Sequence, residues 1–118
     1  MTGRWTSIAH WRWAFALCLL VVLALALMPP RPYMPTTGWD KANHVLAFAA
    51  LAVLGRLSYP GRTAAVLLGL LAYGGLIEAL QALTPYRTAD LRDLLADGIG
   101  LLLGWQLTRL VHYLARAK

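Results

Sequence analysis

Four long apolar segments, separated by short polar stretches, constrain this chain more than any other feature. They run over about residues 13–28, 42–59, 64–83 and 94–114. A helix needs roughly 20 residues to cross the hydrocarbon of a bilayer, and it bonds its backbone groups within the segment, as lipid requires. The pattern therefore predicts an all-α fold, a polytopic membrane protein with a bundle of four transmembrane helices, in one domain over residues 1–118.

The composition argues against a soluble domain. Hydrophobic residues make up 59% of the chain and charged residues 14%, against roughly 25% charged residues in typical soluble domains. The net charge of +6 does not indicate a nucleic-acid partner, because the basic residues lie at the ends of the apolar segments, where they control topology. We therefore expect the lipid bilayer to surround the chain and no nucleic acid to bind it.

The first apolar segment has a second interpretation. Arg4 and Arg12 precede it, and Ala24-Leu25-Ala26 has the A-x-A form of a signal-peptide cleavage site. Its tryptophan-rich flank has instead the composition of an interfacial belt, which favours a helix that is retained.

The distribution of basic residues predicts the orientation in the membrane. Seven would lie on one side: Arg4, Arg12, Arg56, Arg62, Arg109, Arg116 and Lys118. Four would lie on the other: Arg31, Lys41, Arg87 and Arg92. Basic residues accumulate on the cytoplasmic side. We therefore expect a protein of the bacterial cytoplasmic (inner) membrane with both termini in the cytoplasm.

Nearly all other polarity falls at the predicted outer end of the helices. The candidate binding residues there are Asp40, Lys41, His44, Glu78, Gln81, Arg87, Asp93 and Asp97. A charged side chain at the bilayer centre costs about 2.5–3.5 kcal/mol on insertion scales. The sequence therefore predicts that Glu78 is buried inside the bundle and paired with Lys41, His44 or Arg87.

Spacings of three and four place these residues on shared helix faces. Glu78 and Gln81 share a face with Gly74 on the third helix. One stripe on the fourth helix holds Asp90, Asp93, Asp97, Gly100 and Gly104. The two glycines have the small-residue spacing that lets helices pack closely. Asp40 and Asp90 also fit helix N-caps, and contact between helices would also explain the buried acids.

Three ordered motifs resemble the VanZ-like family of small bacterial integral membrane proteins. The segment from Asp40 to Phe48 is similar to D-K-x-x-H-x-x-x-F, and Glu78 to Gln81 is similar to E-x-x-Q. Arg87 with the segment from Asp93 to Gly104 is similar to R…D-x-x-x-N-x-x-G-x-x-x-G. Asp97 departs from this pattern, since the family usually has Asn there.

The resemblance implies a cell-envelope protein and a link to antibiotic resistance, against the glycopeptide teicoplanin. We expect the outward-facing polar residues to bind a lipid, a lipid-linked or cell-wall precursor, or a partner protein, which includes a second copy of the chain. This hypothesis requires no cofactor and no metal.

Two other classes of function stay open. An intramembrane enzyme acting on a lipid-linked substrate would use His44 and Glu78 as acid/base candidates, and in one variant Asp93, Asp97, Glu78 or His44 would hold a divalent cation. A small proton-coupled carrier would have to oligomerise. No H-E-x-x-H, G-x-S-x-G or phosphate-loop motif occurs in the sequence, so the non-enzymatic hypothesis is preferred.

Overall fold

Four α-helices account for most of the chain. The computed structural model describes residues 2–28, 38–85 and 90–116. In chain order the helices are α1 (Thr2–Leu27), α2 (Gly38–Ser58), α3 (Thr63–Ala82) and α4 (Leu91–Arg116). The described residues contain no β-strand. The predicted all-α, four-helix membrane fold is therefore confirmed.

The helices are longer than the apolar segments that predicted them. α1 begins at Thr2 rather than near residue 13, and α4 continues to Arg116. Hydropathy marks only the part of a helix that lies in hydrocarbon, whereas backbone hydrogen bonding continues into the polar interface. α2 ends at Ser58, shortly before Pro60 and Gly61. Proline cannot continue a helix, and Gly61 has a φ of 79°, which favours glycine.

Three of the four helices are long and apolar enough to cross a membrane: Ser7–Leu27, Thr63–Ala82 and Leu91–Arg116. α2 is not among them, because Lys41, Asn43 and His44 make its first turns polar. Yet α2 contacts all three other helices, and it packs most extensively against α4. The polar side of α2 therefore meets protein, which makes this sequence compatible with a position inside a membrane bundle.

Glycines on α4 allow its close contact with α2. A Cβ atom added at Gly100 would lie 2.4 Å from the carbonyl oxygen of Val45, and one added at Gly104 would lie 2.5 Å from that of Ala49. Both distances are shorter than any real contact, so only glycine fits at these two positions. The predicted close crossing at the glycine pair is confirmed, and α2 is the helix that α4 crosses.

Apolar side chains divide between a small core and a broad outer surface. The core residues are Phe48, Leu51, Ala52, Val66, Leu70, Ile77 and Leu101. Many large side chains point outward instead, and Leu17, Leu68 and Leu102 are 63%, 67% and 56% exposed. Such an extensive apolar surface is unfavourable in water but is the surface that lipid requires, so the chain is a membrane protein.

Candidate functional site

Polar side chains from three helices meet at one end of the bundle, where α2 and α4 begin and α3 ends. We call the following residues the polar cluster: Lys41, His44, Glu78, Asp90, Asp93 and Asp97. All but Asp90 are among the binding residues predicted from the sequence. The antiparallel order of the helices brings them together, because the start of one helix lies beside the end of the helix before it.

Lys41 lies at the rim of the polar cluster. Its ammonium group donates hydrogen bonds to Asp93 Oδ1 and, over 3.3 Å, to Asp90 Oδ2. Asp90 directly precedes α4, and its Oδ1 accepts the backbone N–H of Arg92 at 2.9 Å, which is the geometry of an N-cap. This backbone N–H, with the Lys41 ammonium group, holds the pKa of Asp90 below its ordinary value. Asp90 is therefore ionised at neutral pH.

His44 is held by Asp97 in the interior of the cluster. Its Nδ1 lies 2.6 Å from Asp97 Oδ1, and its Nε2 lies 4.0 Å from Asp93 Oδ2. When Asp97 is ionised and the imidazole is neutral, the imidazole proton lies on Nδ1 and is donated to Asp97. The lone pair of the imidazole is then on Nε2. Asp97 is fully buried. Its Oδ2 has no hydrogen-bond partner among the described residues and lies over Gly74, where an added Cβ would be 2.7 Å away.

Glu78 contacts the backbone at the start of α4. Its Oε2 accepts the backbone N–H of Asp90 at 2.9 Å, and the residue is only 7% exposed. The sequence predicted a pairing with Lys41, His44 or Arg87, and of these Arg87 lies outside the described residues. The backbone contact is favourable because the first N–H groups of a helix have no partner within the helix and attract negative charge. Its Oε1 is buried with no hydrogen-bond partner in the described structure.

Gln81 shares the face of Glu78 but turns toward α1. It is 2% exposed, and its amide donates a hydrogen bond to the carbonyl oxygen of Ala26 at 2.8 Å. The spacing in the sequence predicted its burial with Glu78 and contained no signal for this partner. Two other predicted residues cannot be placed: Arg87 and the side chain of Asp40 lie outside the described part of the structure.

A cavity of about 330 Å³ adjoins the polar cluster. α1, α2 and α3 form its walls, and the lining residues are Val22, Leu25, Ala26, Asn43, His44, Ala47, Phe48, Ile77 and Gln81. α1 contributes only aliphatic side chains to the lining, whereas α2 and α3 contribute an imidazole and two amides beside apolar residues. A larger cavity, of about 420 Å³, lies beside Phe15, Tyr59 and Tyr73, away from the carboxylates.

The opposite end of the bundle carries basic contacts. Arg12 donates to the Ser58 carbonyl oxygen at 2.9 Å, and Arg56 donates to the hydroxyl of buried Thr108. The sequence reasoning missed Thr108, although it continues the spacing of Gly100 and Gly104 on α4. The two ends of the molecule thus differ in charge: Glu78, Asp90, Asp93 and Asp97 all lie at one end, and no acidic side chain of the described residues lies at the other.

The chemistry available to the polar cluster is that of an acceptor-rich site. Four carboxylates face one lysine and one histidine among its members. A nitrogen of His44 and one carboxylate oxygen each from Glu78 and Asp93 lie within 4.8 Å of one another. Such an arrangement favours ligands that carry hydrogen-bond donors or positive charge.

The chain matches one family of known proteins. A model of the family described as VanZ/LLP1 matches residues 7–112 of the chain. The match includes the whole of α2 and α3, most of α1 and α4, and every member of the polar cluster. No curated protein and no solved structure matches the chain.

Proposed function

The chain belongs to the VanZ/LLP1 family, and from this premise we propose that it is a cell-envelope protein that binds a lipid or lipid-linked ligand at the polar end of its bundle. In this proposal the protein lies in the bacterial cytoplasmic membrane with both termini in the cytoplasm. The polar cluster then faces outward, where cell-wall precursors and glycopeptides such as teicoplanin are found. Ligand binding at this face would change the sensitivity of the cell to such compounds.

The cavity beside His44 carries this proposal. Its 330 Å³ is at the lower end of the range for small-molecule sites, so it suits a head group and the first part of an acyl chain. Val22 and Leu25 would contact the chain, and Asn43 and His44 would contact the polar group. A purely structural contact between helices has no need of a cavity that is lined by both aliphatic and polar side chains.

Filling the cavity tests the proposal. Ala47 lines the cavity, whereas Ala50, one turn further along α2, is exposed and does not line it. We expect protein purified in mild detergent to retain lipid that native mass spectrometry detects. Ala47→Phe should remove most of this lipid, and the matched control Ala50→Phe should retain it. Equal lipid retention by both variants and by wild-type protein would contradict binding in this cavity.

The same pair of variants tests the cellular role. Expression of the wild-type protein or of Ala50→Phe in a teicoplanin-sensitive bacterium should raise the inhibitory concentration of the drug. Ala47→Phe should not, if it reaches the membrane in equal amount, because the ligand site is filled. An equal rise with Ala47→Phe would separate the phenotype from the cavity.

A further inference from the structure

Three side chains of the polar cluster have the arrangement of metal ligands. One nitrogen of His44 and one oxygen each of Glu78 and Asp93 lie within 4.8 Å of one another. Two donors at about 2.1 Å from one ion can be at most about 4.2 Å apart. His44 Nε2 and Asp93 Oδ2, at 4.0 Å, already satisfy this limit. At that distance the two atoms form no hydrogen bond, and they are close enough both for an ion pair with a protonated His44 and for a shared metal ion.

A second contact holds each of these three residues from its other side. Asp97 Oδ1 holds His44 Nδ1 at 2.6 Å, Lys41 holds Asp93 Oδ1, and the backbone N–H of Asp90 holds Glu78 Oε2 at 2.9 Å. Metal-binding histidines generally donate their second ring N–H to a carboxylate or carbonyl, which orients the ring and raises its basicity. The carboxylate–histidine pair here has that form.

A buried oxygen without a partner points independently to a ligand. Glu78 is only 7% exposed, and its Oε1 has no hydrogen-bond partner in the described structure. A buried polar atom without a partner is costly. The carboxylates of Asp90, Asp93 and Asp97 lie around it. With Glu78 they make four acids, which Lys41, His44 and the Arg92 guanidinium beside Asp90 do not fully balance when His44 is neutral. A bound cation would satisfy the oxygen and offset the excess negative charge at once.

We infer that His44, Glu78 and Asp93 form a binding site for a divalent first-row transition-metal ion, with Asp97 as the positioning residue behind His44. One imidazole nitrogen and two carboxylate oxygens suit Zn²⁺ or a neighbouring ion better than Mg²⁺ or Ca²⁺, which prefer oxygen ligands alone. The site is reached from the aqueous side past Lys41 and Asp90, whose side chains are 36% and 30% exposed. The inference does not depend on a lipid in the adjoining cavity.

Metal titration of the full-length protein in detergent tests the site. After treatment with a chelator, Zn²⁺ is added and its binding is followed by calorimetry against a competing chelator. We expect one Zn²⁺ per chain, bound at least 10-fold more tightly than Mg²⁺. His44→Gln and Asp93→Asn should each weaken Zn²⁺ binding by more than 10-fold. Asp97→Asn should weaken it by about 10- to 100-fold, as other outer-shell substitutions do.

His112→Gln is the matched control for His44→Gln. It removes one imidazole from an exposed position near the end of α4, far from the polar cluster, and changes no member of that cluster. Its Zn²⁺ affinity should stay within about threefold of wild type. A loss for His112→Gln equal to that for His44→Gln would overturn the site, because it would show that Zn²⁺ binds histidines at the surface in general.

Folding and lipid retention are measured on the same samples. Circular dichroism and size-exclusion chromatography identify variants that fold, and only those enter the comparison. If Asp93→Asn does not fold, His44→Gln and the Mg²⁺ comparison decide the outcome. Failure of the folded wild-type protein to bind Zn²⁺ would overturn the metal site, even where native mass spectrometry still finds lipid. Zn²⁺ binding that survives Ala47→Phe would support the metal site whatever happens to the lipid.

Discussion

Glu78 illustrates at the residue scale how a carboxylate is tolerated within an apolar helix. One of its oxygens accepts the backbone N–H of Asp90, directly before α4, and the other oxygen has no hydrogen-bond partner in the described structure. The contact to Asp90 would form equally with an amide. This helix contact therefore does not require the negative charge of Glu78.

Replacing Glu78 with Gln separates a structural role in helix contact from a charge-dependent role in ligand binding. The amide oxygen can still accept the Asp90 N–H, and the desolvation cost of a buried charge disappears. We expect Glu78→Gln to reach the membrane and to unfold in detergent at the wild-type temperature or above it. We also expect it to lose the cellular phenotype, because ligand binding requires the carboxylate.

Thermal unfolding followed by circular dichroism, with an assay of teicoplanin tolerance at matched expression, checks both parts. Wild-type tolerance from a normally expressed Glu78→Gln protein would reject a charge-dependent role and leave a structural one.

The contact between α2 and α4 is the main packing interface at the element scale. Gly100 and Gly104 bring the two helices together, and this closeness places His44 beside Asp97. In lipid, close packing of small residues drives helix association without a hydrophobic contribution. The glycine pair thus determines the geometry of the polar cluster as well as the stability of the bundle.

Substitution of single glycines on α4 tests this dependence. A Cβ at Gly104 would meet backbone of Ala49, which cannot move away alone, whereas a Cβ at Gly98 would have no atom within 4 Å. We expect Gly104→Ala to destabilise the protein by about 1–3 kcal/mol, as overpacking does, and Gly104→Leu to cost more.

Gly98→Ala is the control within the same helix. It should be neutral or stabilising, because alanine has the higher helix propensity. Chemical unfolding in detergent measures all three variants. Equal stability of Gly104→Ala and Gly98→Ala would mean that α4 does not pack as closely against α2 at Gly104 as the structure shows.

The whole molecule is asymmetric in charge along its long axis. The polar cluster lies at one end, and Arg12, Arg56 and Arg109 lie toward the other. Arg109 stacks over Trp105 with 5.6 Å between its Cζ and the ring centroid, and tryptophan is enriched at membrane interfaces. This asymmetry favours an orientation with the arginine-rich end in the cytoplasm.

Reporter fusions measure that orientation. The positive-inside rule predicts an outer location for the loop between α1 and α2 and an inner one for the loop between α2 and α3. A fusion after Pro35 should be active as a periplasmic phosphatase, and a fusion after Arg62 should be active only as a cytoplasmic reporter. The reverse pattern would place the polar cluster in the cytoplasm and contradict ligand binding from the outer face.

Hydropathy and residue spacing alone determined the fold class and most of the candidate site. Apolar length predicted the four helices, because a bilayer accepts few other structures. Spacings of three and four predicted that Glu78, Asp93 and Asp97 face inward, because an α-helix repeats every 3.6 residues. The motif from Asp40 to Phe48, with the two later motifs, indicated the family.

Only the tertiary structure decided which groups pair. The sequence does not encode the rotation and height of one helix against another directly, since these depend on how all the side chains pack together. Glu78 therefore meets a backbone N–H of Asp90, Gln81 meets a carbonyl of α1, and His44 meets Asp97. The cavity beside them also depends on the mutual distance of three helices, which local periodicity does not determine.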